Sequence, residues 1–395
     1  MSEQPDIVVL SAVRTAVGTF GGGLKDTPPT ALAAQVVREA VTRSGLAPDN
    51  VEHVVFGNVI HTEARDAYLS RVATVEGGLP IETPAFTLNR LCGSGLQAIV
   101  SAAQQIETGH SSVTLAGGAE NMSRAPYWLT NARWGQRMGD GQMMDAMLAA
   151  LHDPFENIHM GVTAENIAEK WGISREAQDA FAVESHQRAA RAWAENRFDG
   201  QITPVVSKTR KGEVVFDQDE HIRHDASIEG MAKLKTVFKK DGTVTAGNAS
   251  GINDAASALI LADASRADAL GAKPLARLIG YSHAGVEPAY MGIGPVPAVK
   301  KLLAKTGLGI SDFDLFEVNE AFASQALAVC QDLDLPLEKT NPNGSGISIG
   351  HPIGATGTVI ATKAIHELIR TGGKRALCTM CIGGGQGIAV AFERV

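Results

Sequence analysis

The sequence predicts an α/β fold in which one strand-and-helix unit occurs twice, with a long insertion between the copies. Three observations carry this. The chain holds 42 glycines in 395 residues, and they often fall at the ends of apolar runs, where a turn or a close approach needs them. The same order of helix and strand signals appears near both ends of the chain. Between them, residues 124–246 are richer in charge, Met and Trp and lack the regular alternation.

Taken in order, Ile7-Val8-Val9-Leu10 reads as a strand. Pro28-Pro29 then opens a helix through Leu32, Val36 and Ala40, with Gly45 as its stop, and Val54-Val55-Phe56 is the next strand. Cys92-Gly93-Ser94-Gly95 leads into a helix through Ile99 and Ile106 that meets Gly109, followed by a strand over 113–118. The second copy repeats this. Pro295 and Pro297 precede Val299, Leu302 and Leu303, Gly307 stops that helix, and Leu315-Phe316 begins a strand. His351-Pro352-Ile353-Gly354 leads into a helix through Ile360 and Ile365 to Gly372-Gly373, and a strand follows from Ala376.

Composition removes several functional classes. A formal charge of −8 with no basic run argues against a nucleic-acid partner, while a small anionic ligand needs only a few local cations. The polar start at Met1 lacks the charged and long apolar regions of a secretion signal. No apolar stretch reaches the roughly 20 residues that span a bilayer, so no membrane partner is expected and a cytoplasmic protein is. Four unevenly spaced cysteines fit a reducing compartment rather than a disulfide framework.

Four sites carry candidate chemistry. Cys92, in a small-residue turn just before a helix, is either a nucleophile whose thiolate the helix dipole favours or a buried structural cysteine. Cys378-Thr379-Met380-Cys381 invites a zinc or redox reading, but no second Cys or His pair accompanies it and it lies inside an apolar run. Its glycine tail, Gly383-Gly384-Gly385, instead points to a strand end with exposed backbone N–H groups near a ligand. His351 lies among small residues and prolines, as a base of near-neutral pKa or as a hydrogen-bonded loop histidine. Asn319, just after a strand, is a turn residue or orients a water or a carbonyl.

Together, Cys92 before its helix, Asn319-Glu320-Ala321-Phe322, Gly350-His351-Pro352 and Cys381-Ile382-Gly383-Gly384-Gly385 resemble the four active-site blocks of the thiolases, in that family's order and across essentially the whole chain. The likeness is to the short-chain biosynthetic type, the acetyl-CoA acetyltransferases and bacterial β-ketothiolases. It implies a thiolase-like duplicated five-layer αβαβα fold with an inserted loop domain. Residues 1–123 and 247–273 would form the N-terminal half, 124–246 the loop domain and 274–395 the C-terminal half.

The resemblance implies reversible condensation of acetyl-CoA with a short acyl-CoA, and thiolysis of 3-ketoacyl-CoA, through an acyl-Cys92 intermediate. Cys92 would be the nucleophile, His351 the acceptor of its proton, and Cys381 the acid/base that moves the α-proton. One oxyanion site would lie at His351 and a water held by Asn319, the other at the N–H groups of Cys92 and Gly383. No tightly bound cofactor or metal is implied, with coenzyme A and acyl-CoA as substrates. The cofactor-side positions would be Leu151, His159, Met160, Arg223, Phe238, Ala246, Ser250, Met291 and Phe322, with Met291 bounding a short acyl pocket. Residues 123–142 resemble the arm that joins dimers into a homotetramer. Tyr127, Trp128 and Trp134 are bulkier than the plain acetoacetyl-CoA type leads one to expect. A decarboxylating ketoacyl synthase of the same fold would lack the second cysteine, and an inactive carrier would have lost one of Cys92, His351 and Cys381.

Overall fold

The computed structural model describes residues 5–209 and 212–395; residues 1–4, the first part of the polar start, lie outside them. The N-terminal elements are β1 (Ile7–Arg14), α1 (Pro29–Ser44), β2 (His53–Gly57), α2 (Leu69–Glu76), β3 (Ala85–Leu88), α3 (Ser94–Glu107) and β4 (Val113–Asn121). The chain then leaves the sheet, forms α4 (Met160–Trp171) and α5 (Arg175–Ala194), and returns as β5 (Asn253–Asp263). The C-terminal elements are β6 (Ala276–Gly285), α6 (Pro295–Thr306), β7 (Leu315–Val318), α7 (Ala323–Leu333), α8 (Thr356–Thr371), β8 (Arg375–Ile382) and β9 (Gln386–Arg394).

The duplication is visible in the hydrogen bonding. The strands form one sheet in the order β7-β8-β9-β6-β1-β5-β4-β2-β3. In the N-terminal half β3, β2 and β4 run parallel, and β5 and β1 add antiparallel strands. In the C-terminal half β7 and β8 are parallel, β9 and β6 antiparallel, and Thr340 makes a parallel bridge to Phe316 where β3 sits beside β2 in the first copy. The halves meet where Val8 and Val9 of β1 face Arg277 and Ala276 of β6.

Five layers follow from which side chains each helix buries. Leu32, Val36, Val37 and Ala40 of α1 pack with Leu69 of α2 on one outer face, and Val299 and Leu302 of α6 with Val329 of α7 on the other. Between the halves, Leu96, Ile99 and Ile106 of α3 and Ile360, Ile365 and Leu368 of α8 share a core with Val9, Leu259, Met380 and Val390. A helix covered on both sides must be apolar nearly all round, and α8 is buried from Thr356 through Ile365. The one lysine inside it, Lys363, pairs with Glu317 of β7 at 2.8 Å.

The excursion between β4 and β5 is anchored rather than loose. Arg14 of β1 and Asp219 form a fully buried ion pair at 2.7 Å, and α4 and α5 pack on α7. The regular strand–helix grammar of the halves gave no sign of α4 and α5. Their marks are local caps: the His159 ring accepts from Gly161 N–H and the Ser174 hydroxyl from Ala177 N–H.

Candidate active site

Cys92 and His351 occupy matching places in the two copies, each in the loop ahead of a central helix, α3 and α8. Leu91 holds a positive φ of 47°, a sparsely populated conformation for a branched residue. The turn is locked by Ser94, whose Oγ accepts from Arg90 N–H at 2.8 Å and donates to the Leu91 carbonyl at 2.7 Å. A buried carboxylate ties the His351 loop to the segment after β2: Glu120 of β4 accepts from Val59 N–H at 3.0 Å, Ile60 N–H at 3.0 Å and Gly354 N–H at 2.9 Å.

Backbone N–H groups of Gly383 and of Cys92 itself point at the Cys92 sulfur. These donors favour a thiolate, as the helix-start placement predicts, but burial outweighs them and pushes the thiol up to about 11. Resting Cys92 is therefore a protonated thiol, and its activation needs a base.

His351 supplies one. Its ring is buried, and burial alone lowers its pKa to about 4, so it is a neutral imidazole near pH 7 and not the near-neutral titrating group its loop composition suggests. Asn319 Nδ2 approaches Nε2 at 3.4 Å, Thr356 Oγ1 lies 2.7 Å from Nδ1, and Asn253 Oδ1 accepts the backbone N–H at 2.9 Å. Asn319, the first residue after β7, has no hydrogen-bond partner for its own buried Oδ1 among the described residues.

Cys381 stands at the end of β8, fully buried in an apolar cluster with Met160, Met291 and Phe322. Burial and the proximity of Cys92 push its thiol well up. It lies just behind the cavity wall. Gly383 follows in the tight turn to β9, where Gly384 and Gly385 take φ of 78° and 84°.

One cavity of about 400 Å³ is lined by both Cys92 and His351. Its wall also holds Leu151, His159, Met160, Phe238, Ala246, Ser250, Met291 and Phe322, eight of the nine cofactor-side positions read from the sequence. His159 stacks on Phe238 with ring centres 4.6 Å apart, and Phe238 meets Phe322 edge-on at 6.3 Å, giving the cavity a flat aromatic flank. Arg223 is the exception. Its side chain is exposed and does not line the cavity, while its backbone N–H donates to His186 Nδ1 at 3.1 Å.

Sequence reading missed part of the wall. Phe20, half exposed, and Leu148 stand at the mouth, and Met122, Ile252 and Ile353 pack beside Cys92. Ile353 could have been found, since it lies inside the His351 block. Phe20 carries only the faint signal of an aromatic residue beside Gly21-Gly22-Gly23. Its loop is held by Glu220, which accepts from Thr19 N–H at 3.0 Å and Gly23 N–H at 3.2 Å, a contact across most of the N-terminal half and the insertion.

Comparison with known proteins agrees with this geometry. Two family profiles match, described as "Thiolase, N-terminal domain" over residues 7–265 and "Thiolase, C-terminal domain" over 272–394. The chain is 62% identical to "Beta-ketothiolase BktB" of Cupriavidus necator over 391 residues, 99% of each chain. It is 49% identical to "Acetyl-CoA acetyltransferase" of Chromobacterium violaceum, covering 98% of this chain and 100% of that one. Among solved structures it resembles human mitochondrial 3-ketoacyl-CoA thiolase in complex with CoA, with a TM-score of 0.96, 44% identity and coverage of 99% and 98%.

Proposed function

The chain belongs to the thiolase family, and from that premise we propose how its residues divide the work of acyl transfer. It is an acetyl-CoA C-acyltransferase, condensing acetyl-CoA with an acyl-CoA and, in reverse, cleaving 3-ketoacyl-CoA with coenzyme A. The observation that carries the assignment of roles is that Cys92, with the Gly383 N–H aimed at its sulfur, shares one cavity with the neutral imidazole of His351.

In the first half-reaction His351 Nε2 takes the Cys92 proton and the sulfur adds to the thioester carbon. The N–H groups of Cys92 and Gly383 hold the developing oxyanion, and donors preset at such a point are worth far more than in water. The C–S bond to coenzyme A breaks, and Cys381 protonates the leaving thiolate. This leaves an acyl-Cys92, an imidazolium at His351 and a thiolate at Cys381.

In the second half-reaction Cys381 removes the α-proton of acetyl-CoA. The enolate oxygen is held by His351 Nε2–H and by a water on Asn319, whose buried Oδ1 has no hydrogen-bond partner among the described residues. The enolate carbon attacks the acyl carbonyl, the bond to Cys92 breaks, and His351 returns its proton to the sulfur. Charge and protons balance over the cycle, and no metal is required.

The aromatic flank of His159, Phe238 and Phe322 with Leu151, Met160, Ala246 and Ser250 would take the pantetheine arm, leaving Arg223 for a phosphate outside the cavity. Met291 would limit the acyl pocket. The division into halves at 1–123 with 247–273 and at 274–395, with 124–246 as a loop domain, follows the departure of the chain from the sheet between β4 and β5. A homotetramer fits the exposed apolar arm of Tyr127, Trp128, Leu129 and Trp134. Among the described residues no helix is long and apolar enough to cross a membrane, and the reading keeps a cytoplasmic enzyme of short-chain acyl-CoA metabolism, in fatty-acid or polyhydroxyalkanoate pathways.

The test is to incubate the protein with acetyl-CoA, map the adduct by mass spectrometry, and follow loss of acetoacetyl-CoA absorbance on adding coenzyme A. An acetyl group on Cys92 with CoA-dependent cleavage is expected. An adduct elsewhere, or cleavage without one, overturns this division of roles.

A further inference from the structure

His351 can be a base toward Cys92 only if its Nε2 carries a lone pair, so the single hydrogen of the neutral ring must sit on Nδ1. Free histidine in water favours the opposite tautomer. Something in the fold has to select the right one, and the structure offers one partner on that edge of the ring. Nδ1 lies 2.7 Å from Thr356 Oγ1. A hydroxyl has one hydrogen, and that of Thr356 is directed at the Pro352 carbonyl, 2.9 Å away, an atom that can only accept. Thr356 therefore faces Nδ1 with a lone pair. On the opposite edge a donor, Asn319 Nδ2, lies 3.4 Å from Nε2. The two edges call for the same tautomer.

We propose that Thr356 is a positioning residue for acyl transfer: its hydroxyl accepts the Nδ1 hydrogen of His351 and so leaves the Nε2 lone pair free for the Cys92 proton. The inference rests on the acyl-transfer roles of Cys92 and His351. Thr356 is the first residue of α8 and is buried, so the helix that fills the centre of the molecule also fixes the proton on the ring in front of it. Asn253 holds the His351 backbone while Thr356 holds its ring, and the two contacts together set position and orientation. The same acceptor serves the imidazolium formed during the cycle, since Nδ1–H donates more strongly when the ring is charged.

Thr356→Val removes the acceptor together with the hydroxyl's own bond to the Pro352 carbonyl. The side-chain shape is kept, and the Pro352 carbonyl retains the N–H groups of Ala355 at 2.8 Å and of residue 356 at 2.9 Å. The titratable groups around the ring are Cys92, His159 and His221, which share its cavity, Cys381 behind the cavity wall, and Glu120 beneath Gly354. None of them changes in this variant.

The experiment measures the rate of Cys92 acetylation by acetyl-CoA, by rapid quench and intact mass, across pH. For Thr356→Val we expect a fall of about 10- to 100-fold, the scale of a misplaced general base, with the acid limb moved to lower pH because the imidazolium has lost an acceptor. Thr356→Ser should restore rate and profile. Wild-type rate and profile in Thr356→Val overturn the proposal, as does a loss that Thr356→Ser shares or that leaves the profile unmoved. His351→Ala separates the premises: if it acetylates Cys92 at the wild-type rate, the role of His351 as base fails, not merely the role of Thr356. A readout independent of any folding defect is the ¹⁵N spectrum of the His351 ring in the wild-type protein, identified by the signals lost in His351→Asn. Protonated Nδ1 with unprotonated Nε2 is expected, and the reverse assignment overturns the proposal.

Discussion

Gly95 and Gly357 abut backbone to backbone where the two central helices begin. A Cβ on Gly357 would lie 2.1 Å from the Leu96 nitrogen, and one on Gly95 would lie 2.6 Å from the Thr358 nitrogen. Neither neighbour can rotate away, because both are main chain. This contact brings the first turns of α3 and α8 together, and with them the loops that carry Cys92 and His351. We expect Gly357→Ala to destabilise by about 1–3 kcal/mol, the usual range for overpacking, and to lower Cys92 acetylation because the loops are forced apart. Urea unfolding read beside the acetylation rate checks it; a variant of unchanged stability and rate would show that the contact is slack.

The two active-site thiols should separate by half-reaction. Cys92→Ala is expected to give no acetyl adduct and no thiolysis. Cys381→Ser should still show acetyl-Cys92, because a coenzyme A thiolate can leave without an acid, while condensation, which needs a base for the α-proton, falls by roughly 10²- to 10⁴-fold, the usual worth of a placed acid/base. Intact mass and acetoacetyl-CoA formation on the same samples distinguish the two. Full turnover by Cys92→Ala removes it as the nucleophile.

Acid should reveal the buried imidazole. With a folded pKa near 4 against 6.5 for a free ring, neutral His351 contributes stability that is complete above about pH 6.5 and is lost as pH falls through about 4. The acid limb of acetylation is therefore expected near pH 4. The stability of the wild type relative to His351→Gln should decline between pH 6.5 and 4. A limb near pH 6.5 would mean that water reaches the ring.

Met291 is buried and lines the cavity beside Phe322 and Cys381. Met291→Ala is expected to raise kcat/KM for 3-ketohexanoyl-CoA relative to acetoacetyl-CoA by about tenfold, the worth of a methylene or two in an apolar pocket. Thiolysis assays with both substrates test this. An unchanged ratio would place the acyl limit elsewhere in the wall, where Met122 and Ile353 are the next residues to change.

Lys363→Met removes one partner of a buried ion pair and leaves the Glu317 carboxylate uncompensated in β7, two residues before Asn319. Breaking a buried pair costs on the order of 3–5 kcal/mol. A marked fall in thermal midpoint is expected, and recovery in the double variant Lys363→Met, Glu317→Leu would identify the orphaned charge as the cause.

Much of this protein was legible in the sequence. The twofold grammar of α1 and α6, the helix stops at Gly45, Gly307 and Gly372, and the placing of Cys92 and His351 ahead of α3 and α8 all follow from local patterns of apolar spacing, proline and glycine. So does Asn319 at the end of β7, and the four blocks together identify the family. What only the tertiary structure decided is the chemical state of those residues. Cys92 is a thiol because burial outweighs the N–H of Gly383, a residue from the opposite end of the chain. His351 is neutral because α8 and the β7 loop close over it. Cys381 lies behind the cavity wall and Arg223 outside the cavity, while Phe20 reaches its mouth through a loop held by Glu220. Local sequence sets where turns and helices start, since those depend on neighbours a few residues apart; burial and proton position depend on which distant segments fold over a group, and no window of sequence contains them.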